Sequence, residues 1–285
     1  MHLRVSKRSQ ARIRIAMQGP SGSGKTYSSL LLAYGLVGDW SKVAVIDTEN
    51  QSADLYAHLG GYNVISLGAP YTPEKYLEAI QLCESASMEA IVIDSLSHEW
   101  ETLLDIHSGM PGNSFTNWGK ITPRHNNLIN KILGSSAHII ATVRSKQDYV
   151  LTEKNGKQVP EKVGLKGVQR DGLEYDFTIV FEVNIKHFVT ASKDRTGMFV
   201  GLPDFRITAE TGEMIRDWCQ SSASNLDEEP SDFVELINSC KSLDQLYKLY
   251  NENPGLQELY KEEFVARKSQ LLTKPNFMSN GTHAH

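Results

Sequence analysis

One run of eight residues, Gly19-Pro20-Ser21-Gly22-Ser23-Gly24-Lys25-Thr26, constrains this chain more than anything else in it. It fits G-x-x-x-x-G-K-[ST], the phosphate-binding P-loop. Glycines at this spacing let successive backbone N–H groups turn inward around phosphates, at the positive end of the helix that follows. The flanks supply the strand and helix that this geometry needs. Arg12–Met17 reads as a strand, and an apolar-periodic helix runs on to about Leu36. Gly19, Pro20, Ser21, Gly22, Ser23 and Gly24 are thus expected to cradle the phosphates of ATP, with Lys25 reaching the β- and γ-phosphates and the Thr26 hydroxyl binding Mg²⁺.

The remainder alternates strands and helices. Val43–Asp47 and Val64–Leu67 read as strands, Thr72–Ser87 as a helix, and Ala90–Asp94 and His138–Val143 as apolar strands buried on both faces. This pattern predicts an α/β core with a central, mostly parallel sheet. Asp94, at the C-terminal end of its strand, is placed to be the acidic metal ligand, with capping of the next helix the lesser alternative. Hydrolysis also needs a group to activate water. Glu49, two residues beyond the strand that ends at Asp47, can lie beside the γ-phosphate if that strand neighbours the P-loop strand, and Asp47 is the rival. After Val143, extended runs flank Asn155-Gly156, a hairpin signal, and Phe177–Ile185 and Phe188–Ser192 read as paired strands. We divide the chain into a core of residues 1–221, an acidic linker of residues 222–231, and a small helical C-terminal region, residues 232–285, with a disordered tail.

Composition excludes other classes. With 40% apolar and 22% charged residues in 285, the chain is neither collagen-like nor wholly disordered. Three scattered cysteines suggest neither a disulfide framework nor a zinc site, which implies a reducing cytoplasm. No secretory or membrane-spanning segment is expected. The formal net charge of -5 hides a basic middle, where residues 107–170 hold ten Lys and Arg against three Asp and Glu. Residues 1–14 add five basic groups and no acidic one.

Across roughly residues 12–220 these features resemble the RecA/RadA recombinase superfamily, whose fold is a P-loop core of this kind. Asp47-Thr48-Glu49 is similar to the family's Asp-x-Glu, whose glutamate activates water, and Asp94-Ser95 to its Walker-B end. Tyr56, seven residues past Glu49, stands where the resemblance implies a ring stacked on adenine. His107–Pro123 and Lys146–Gln169 occupy the places of two mobile loops that line single-stranded DNA. Lys193-Asp194-Arg195 is similar to the basic pair that reaches a neighbouring subunit's γ-phosphate, so Lys193 and Arg195 join Lys25 and Glu49 as implied catalytic residues. More narrowly, segments such as Gly112–Trp118 and Val168–Gly172 resemble phage and prophage RecA-like ATPases grouped with single-strand annealing proteins. One position departs from the family: Arg144 stands where bacterial recombinases carry a γ-phosphate-sensing glutamine, and Gln147 follows three residues later. Either can be the sensor of nucleotide state. The N-terminal domain and polymerisation segment of the larger recombinases have no counterpart, which leaves filament and ring both open.

Both implied DNA segments mix cations with aromatics: Phe115, Trp118, Lys120 and Arg124 in the first, and Lys146, Tyr149, Lys154, Lys157, Lys162 and Lys166 in the second. Cations for the backbone and flat rings for bases are what sequence-independent single-strand binding uses, although Phe115 or Trp118 can instead anchor its own segment. The histidines, His98, His107, His125, His138 and His187, show no metal-ligand spacing. The expectation is a DNA-stimulated ATPase, homo-oligomeric, that binds single-stranded DNA in phage recombination, with a single-strand-binding protein as a further partner. A nucleotide kinase with a basic lid, or a nucleotide-switched assembly protein, is the alternative.

Overall fold

The computed structural model describes residues 11–154, 157–221, 230–253, 256–257 and 260–272, with residues 147–165 and 230–232 described in backbone only. The chain forms two compact units that part between Cys219 and Gln220.

The first unit is built on eight strands: β1 (Arg14–Gly19), β2 (Val43–Asp47), β3 (Asn63–Ser66), β4 (Ala90–Asp94), β5 (His138–Lys154), β6 (Lys157–Gly167), β7 (Ile179–Val183) and β8 (Val189–Asp194). Their order is β3-β2-β4-β5-β1-β7-β8, with β6 paired to the far half of β5. The pairings from β3 to β7 are parallel, whereas β8 and β6 run antiparallel to β7 and β5. Alternate residues of each strand enter opposite cores, as the pleat requires. Ile15, Met17, Val45, Val92 and Ile140 pack on the side of α1 (Lys25–Val37) and α5 (Ala209–Gln220). Ala16, Ile46, Ile91, Ile93 and Ile139 pack on the other side, with α2 (Pro73–Ser85) and the following helices. Burial on both faces explains why these strands read as continuous apolar runs. Helices α1 and α5 cross closely, because a Cβ on Gly35 would lie 2.0 Å from the Ala209 carbonyl oxygen and one on Gly212 would lie 2.4 Å from that of Leu32.

The segment from residue 97 to 134, which contains the implied first DNA loop at residues 107–123, departs from that expectation. It forms α3 (Ser97–Ser108) and α4 (Ser114–Gly134), so most of the implied first DNA loop is helix. The Asn113 side chain caps α4 by accepting from the Phe115 N–H at 2.8 Å, and Ile121, Leu128, Ile129 and Ile132 bury one stripe of it. That stripe outweighs Gly119 and Pro123, which weaken the helix locally. The second expected loop is also ordered in backbone. β5 and β6 pair from Ser145 opposite Gly167 out to Lys154 opposite Lys157, with a register shift at Asp148/Tyr149. The expected Asn155-Gly156 turn, most of the linker (residues 222–229), the break at Pro254-Gly255, the tail beyond residue 272 and the basic residues before Ala11 lie outside the described residues.

The second unit contains α6 (Pro230–Ser239), α7 (Leu243–Glu252) and α8 (Lys261–Leu272). Ile237, Cys240, Leu246 and Phe264 form its core, and the Arg267 guanidinium donates to the Cys240 carbonyl at 2.7 Å. Among the described residues no helix is long and apolar enough to cross a membrane.

Candidate nucleotide site

β1 ends at Gly19, and the chain turns through Gly22 (φ 77°) and Gly24 (φ 88°) into α1. Those left-handed conformations turn the loop N–H groups inward and favour glycine at both positions. Lys25 Nζ donates to the carbonyls of Gly19 and Pro20 at 2.9 Å each. Burial lowers the Lys25 pKa, a shift that Asp94 and Glu49 oppose. Outside the loop, His187 in the β7–β8 turn meets the Ser23 carbonyl at 2.9 Å and packs against Gly24. Nothing in the sequence signals that contact.

Asp94 ends β4 at the pocket floor, 3% exposed. Its carboxylate accepts from the Thr26 hydroxyl at 2.6 Å and from the Thr142 hydroxyl on β5 at 2.5 Å. Burial nonetheless raises its pKa, since two hydroxyls only partly replace water. Thr26 and Asp94 fit the role of Mg²⁺ ligands: a hydroxyl and a buried carboxylate, adjacent, with hard oxygen donors. Thr142 was missed by sequence reasoning, although a lone hydroxyl late in an apolar strand is the signal that could have found it.

Glu49 reaches the pocket by a route other than the expected one. β2 does not neighbour β1, because β4 and β5 lie between them. The turn after β2 instead folds back over β4, with Asn50 and Gln51 at positive φ. Asp47 holds that turn: its carboxylate accepts from the Glu49 N–H at 2.6 Å and the Ala53 N–H at 2.9 Å. Both Asp47 oxygens therefore bind backbone N–H groups, and of the two carboxylates only Glu49 lines the cavity. Glu49 meets Arg144, at the end of the parallel part of β5, in a two-pronged ion pair with Nε to Oε1 at 2.9 Å. That pairing holds the Arg144 pKa above its ordinary value. His98 also approaches Glu49, Nε2 to Oε1 4.0 Å, with its ring stacked on Tyr71 and its Nδ1 2.7 Å from the Thr48 hydroxyl. Burial first, and Arg144 second, lower the His98 pKa, a shift that Glu49 opposes.

Together Ser21, Gly22, Lys25, Thr26, Glu49, Tyr56, Asp94 and Arg144 line a cavity of about 550 Å³. A second cavity of about 400 Å³ shares Gly22, Gly24 and Tyr56 with it and is walled by Tyr27, His187, Arg206 and Ile207. Tyr56 and Tyr27 stand 5.9 Å apart at the join, a place that suits a nucleobase.

The other expected site residues scatter. Lys193 and Arg195 sit at the end of β8 opposite the P-loop end of the sheet, donating to the carbonyls of Glu174 and Tyr175 and of Tyr175 respectively, and neither lines the chain's own nucleotide cavity. Trp118 stacks on His107 at 4.1 Å and Trp100 at 5.8 Å, which makes it an anchor between α3 and α4. Arg124 pairs with Glu74 through two hydrogen bonds of 2.8 Å, so it is not an unpaired cation. Phe115 is 85% exposed, and Lys120 and Lys146 are exposed. Lys166 pairs with Asp171 at 2.7 Å. The side chains of Gln147, Tyr149, Lys154, Lys157 and Lys162 lie outside the described residues; their backbones belong to the β5–β6 hairpin.

A family model described as an AAA domain matches residues 11–205. No curated protein matches the chain.

Proposed function

The chain belongs to the AAA domain family, a family of P-loop ATPases, and from that starting point we propose that it is an ATP-dependent, RecA-like, single-stranded DNA-binding protein that promotes annealing or strand pairing in phage recombination. The observation that carries this reading is the path of β5. The strand lies between those of the P-loop and Asp94, contributes Arg144 to the nucleotide cavity and the Thr142 hydroxyl to the Asp94 carboxylate, and continues without a break into the β5–β6 hairpin. Residues 144–170 carry seven Lys and Arg against three Asp and Glu, and the register opposes Lys146 to Lys166, Tyr149 to Lys162 and Lys154 to Lys157. One element thus connects phosphate chemistry to a basic, aromatic-bearing ribbon suited to a nucleic-acid backbone.

In this reading the loop N–H groups and Lys25 hold the phosphates, and Glu49 orients the attacking water and takes its proton. Bound at Thr26 and Asp94, Mg²⁺ would supply charge neutralisation for the phosphates. Tyr56 packs on the base. The γ-phosphate is sensed at Arg144 or Gln147, at the root of the hairpin, so that ATP favours the DNA-holding arrangement and hydrolysis releases it. Lys193 and Arg195, remote from their own cavity, act on a neighbouring subunit's γ-phosphate in a homo-oligomer. The test is ATP turnover with and without single-stranded DNA. Stimulation by DNA is the expected result, and turnover indifferent to DNA but dependent on a small phosphate acceptor would replace this reading with a kinase.

A further inference from the structure

Glu49 and Arg144 pair through both carboxylate oxygens. Nε and Nη2 of the guanidinium take one carboxylate oxygen each, and both residues line the cavity that holds Lys25, Thr26 and Asp94. A carboxylate with both oxygens on a guanidinium is poorly placed to accept a proton from water. A guanidinium is also suited to bidentate binding of a phosphate, and a γ-phosphate beside Lys25 enters this same space. The backbone of Arg144 is fixed, its N–H on Ser97 Oγ at 2.9 Å and its carbonyl accepting from the Val168 N–H at 2.6 Å. Any change of partner is therefore a side-chain movement.

What receives the freed carboxylate is also in place. The Thr48 hydroxyl oxygen accepts from the Ser95 N–H at 2.8 Å, and its proton goes to the nearer of two acceptors, His98 Nδ1 at 2.7 Å rather than the Ser95 carbonyl at 3.3 Å. The network assigns the ring proton of the neutral imidazole to Nε2, the atom that faces Glu49 Oε1 at 4.0 Å. Lys25, the other cation near Glu49, is engaged with the loop carbonyls.

We propose that Arg144 is a partner-exchanging catalytic residue: it holds Glu49 idle until a γ-phosphate takes the guanidinium, and the released carboxylate is then steadied by His98 and turned to the water. This rests on the reading of Glu49 as the water-orienting group. It accounts for an arginine at this position, since a glutamine would neither neutralise Glu49 nor exchange it for an anion.

The test is equilibrium binding of ADP and of a β,γ-imido ATP analogue, with Mg²⁺ and without DNA, to the full chain. The quantity read is the preference for the analogue over ADP. Arg144→Ala lowers that preference by about tenfold, the scale of one charge-assisted hydrogen bond, because the γ-phosphate loses its guanidinium. Glu49→Gln raises it, because no pair has to be broken. The double variant behaves like Arg144→Ala, and Arg144→Lys, which keeps the charge and loses the fork, falls between parent and Arg144→Ala. Should Arg144→Ala preserve the preference, the ion pair is a fixed structural contact and the proposal fails. It fails equally if Glu49→Gln raises the preference as much without Arg144 as with it, since simple repulsion between carboxylate and phosphate then explains the gain. Where Arg144→Ala does not fold, Arg144→Lys decides by the same criterion. Because neither turnover nor DNA enters this measurement, its failure is separable from failure of the broader reading. Normal hydrolysis by Glu49→Gln would remove Glu49 as the water-orienting group while leaving the binding preferences to be judged on their own.

Discussion

Replacing Asp47 by Asn separates two roles open to a carboxylate at that position. The side chain is 1% exposed, and it accepts from the Glu49 and Ala53 N–H groups at 2.6 and 2.9 Å. Asparagine keeps one acceptor oxygen and turns an NH₂ toward the other N–H. One charge-assisted bond is lost, the second is weakened, and a buried donor is left without an acceptor. These overlapping penalties come to about 2–4 kcal/mol, given 1.5–3 for a bond to a charged group and 1–3 for an orphaned buried donor. For a unit of this size that is a fall in Tm of roughly 5–15 °C. Thermal unfolding and urea titration should both report it, with the urea slope m unchanged. Turnover should fall only as far as the loosened turn misplaces Glu49. Glu49→Gln, by contrast, should lose turnover by about 10²–10⁴-fold, the scale of a lost general base. Its stability should stay within about 1 kcal/mol of the parent, because the Glu49–Arg144 pair is partly exposed. If Asp47→Asn melts with the parent yet loses turnover as completely as Glu49→Gln, Asp47 is the base and the assignment of roles here is refuted.

Three further outcomes follow from the same geometry. Mixing Lys25→Ala subunits with Lys193→Ala, Arg195→Ala subunits should recover part of the ATPase activity, since hybrid interfaces hold one intact composite site; no recovery at any ratio would confine these cations to their own chain. Changing Lys154, Lys157 and Lys162 to Ala should flatten the slope of log affinity for single-stranded DNA against log salt by up to about 2, at about 0.7 per backbone contact. Phe115→Ala should weaken binding without changing that slope, whereas Trp118→Ala should chiefly cost stability, and an unaltered slope in the triple variant would reduce the hairpin's charge to a solvated face. His138 accepts from the Ile13 N–H at 3.1 Å through Nδ1, and burial, with help from Arg12 and Arg14, lowers its pKa to about 4. A pKa depressed on folding means that stability is complete above the unfolded value of about 6.5 and drains as pH falls toward about 4, because the unfolded chain takes the proton first. The loss is up to about 3 kcal/mol at about 1.4 per pH unit, and a His138→Gln variant with the same pH profile would refute it.

The P-loop, the strands of the sheet and Asp94 were legible because their signals are local. Glycine spacing, an apolar run and an acid at the run's end each report a conformation fixed within a few residues, and β4 (Ala90–Asp94) has the bounds read from the sequence. Helix α4 was hidden, because Gly119 and Pro123 weaken its intrinsic propensity and only burial of the Ile121 to Ile132 stripe, on the side packed against α2 and α3, overrides them. Strand order was equally beyond the sequence. Nothing in Val43–Asp47 or His138–Val143 says that β4 and β5 separate β2 from the P-loop strand, yet that insertion sets Arg144 opposite Glu49 across 95 residues of chain. Roles followed partners in the same way. Asp47 and Glu49 are interchangeable as letters, and only the fold commits one to backbone N–H groups and leaves the other in the cavity. Residue type and spacing fix what a side chain can do. Which donors and charges meet it depends on contacts between distant segments, which form only when the sheet closes.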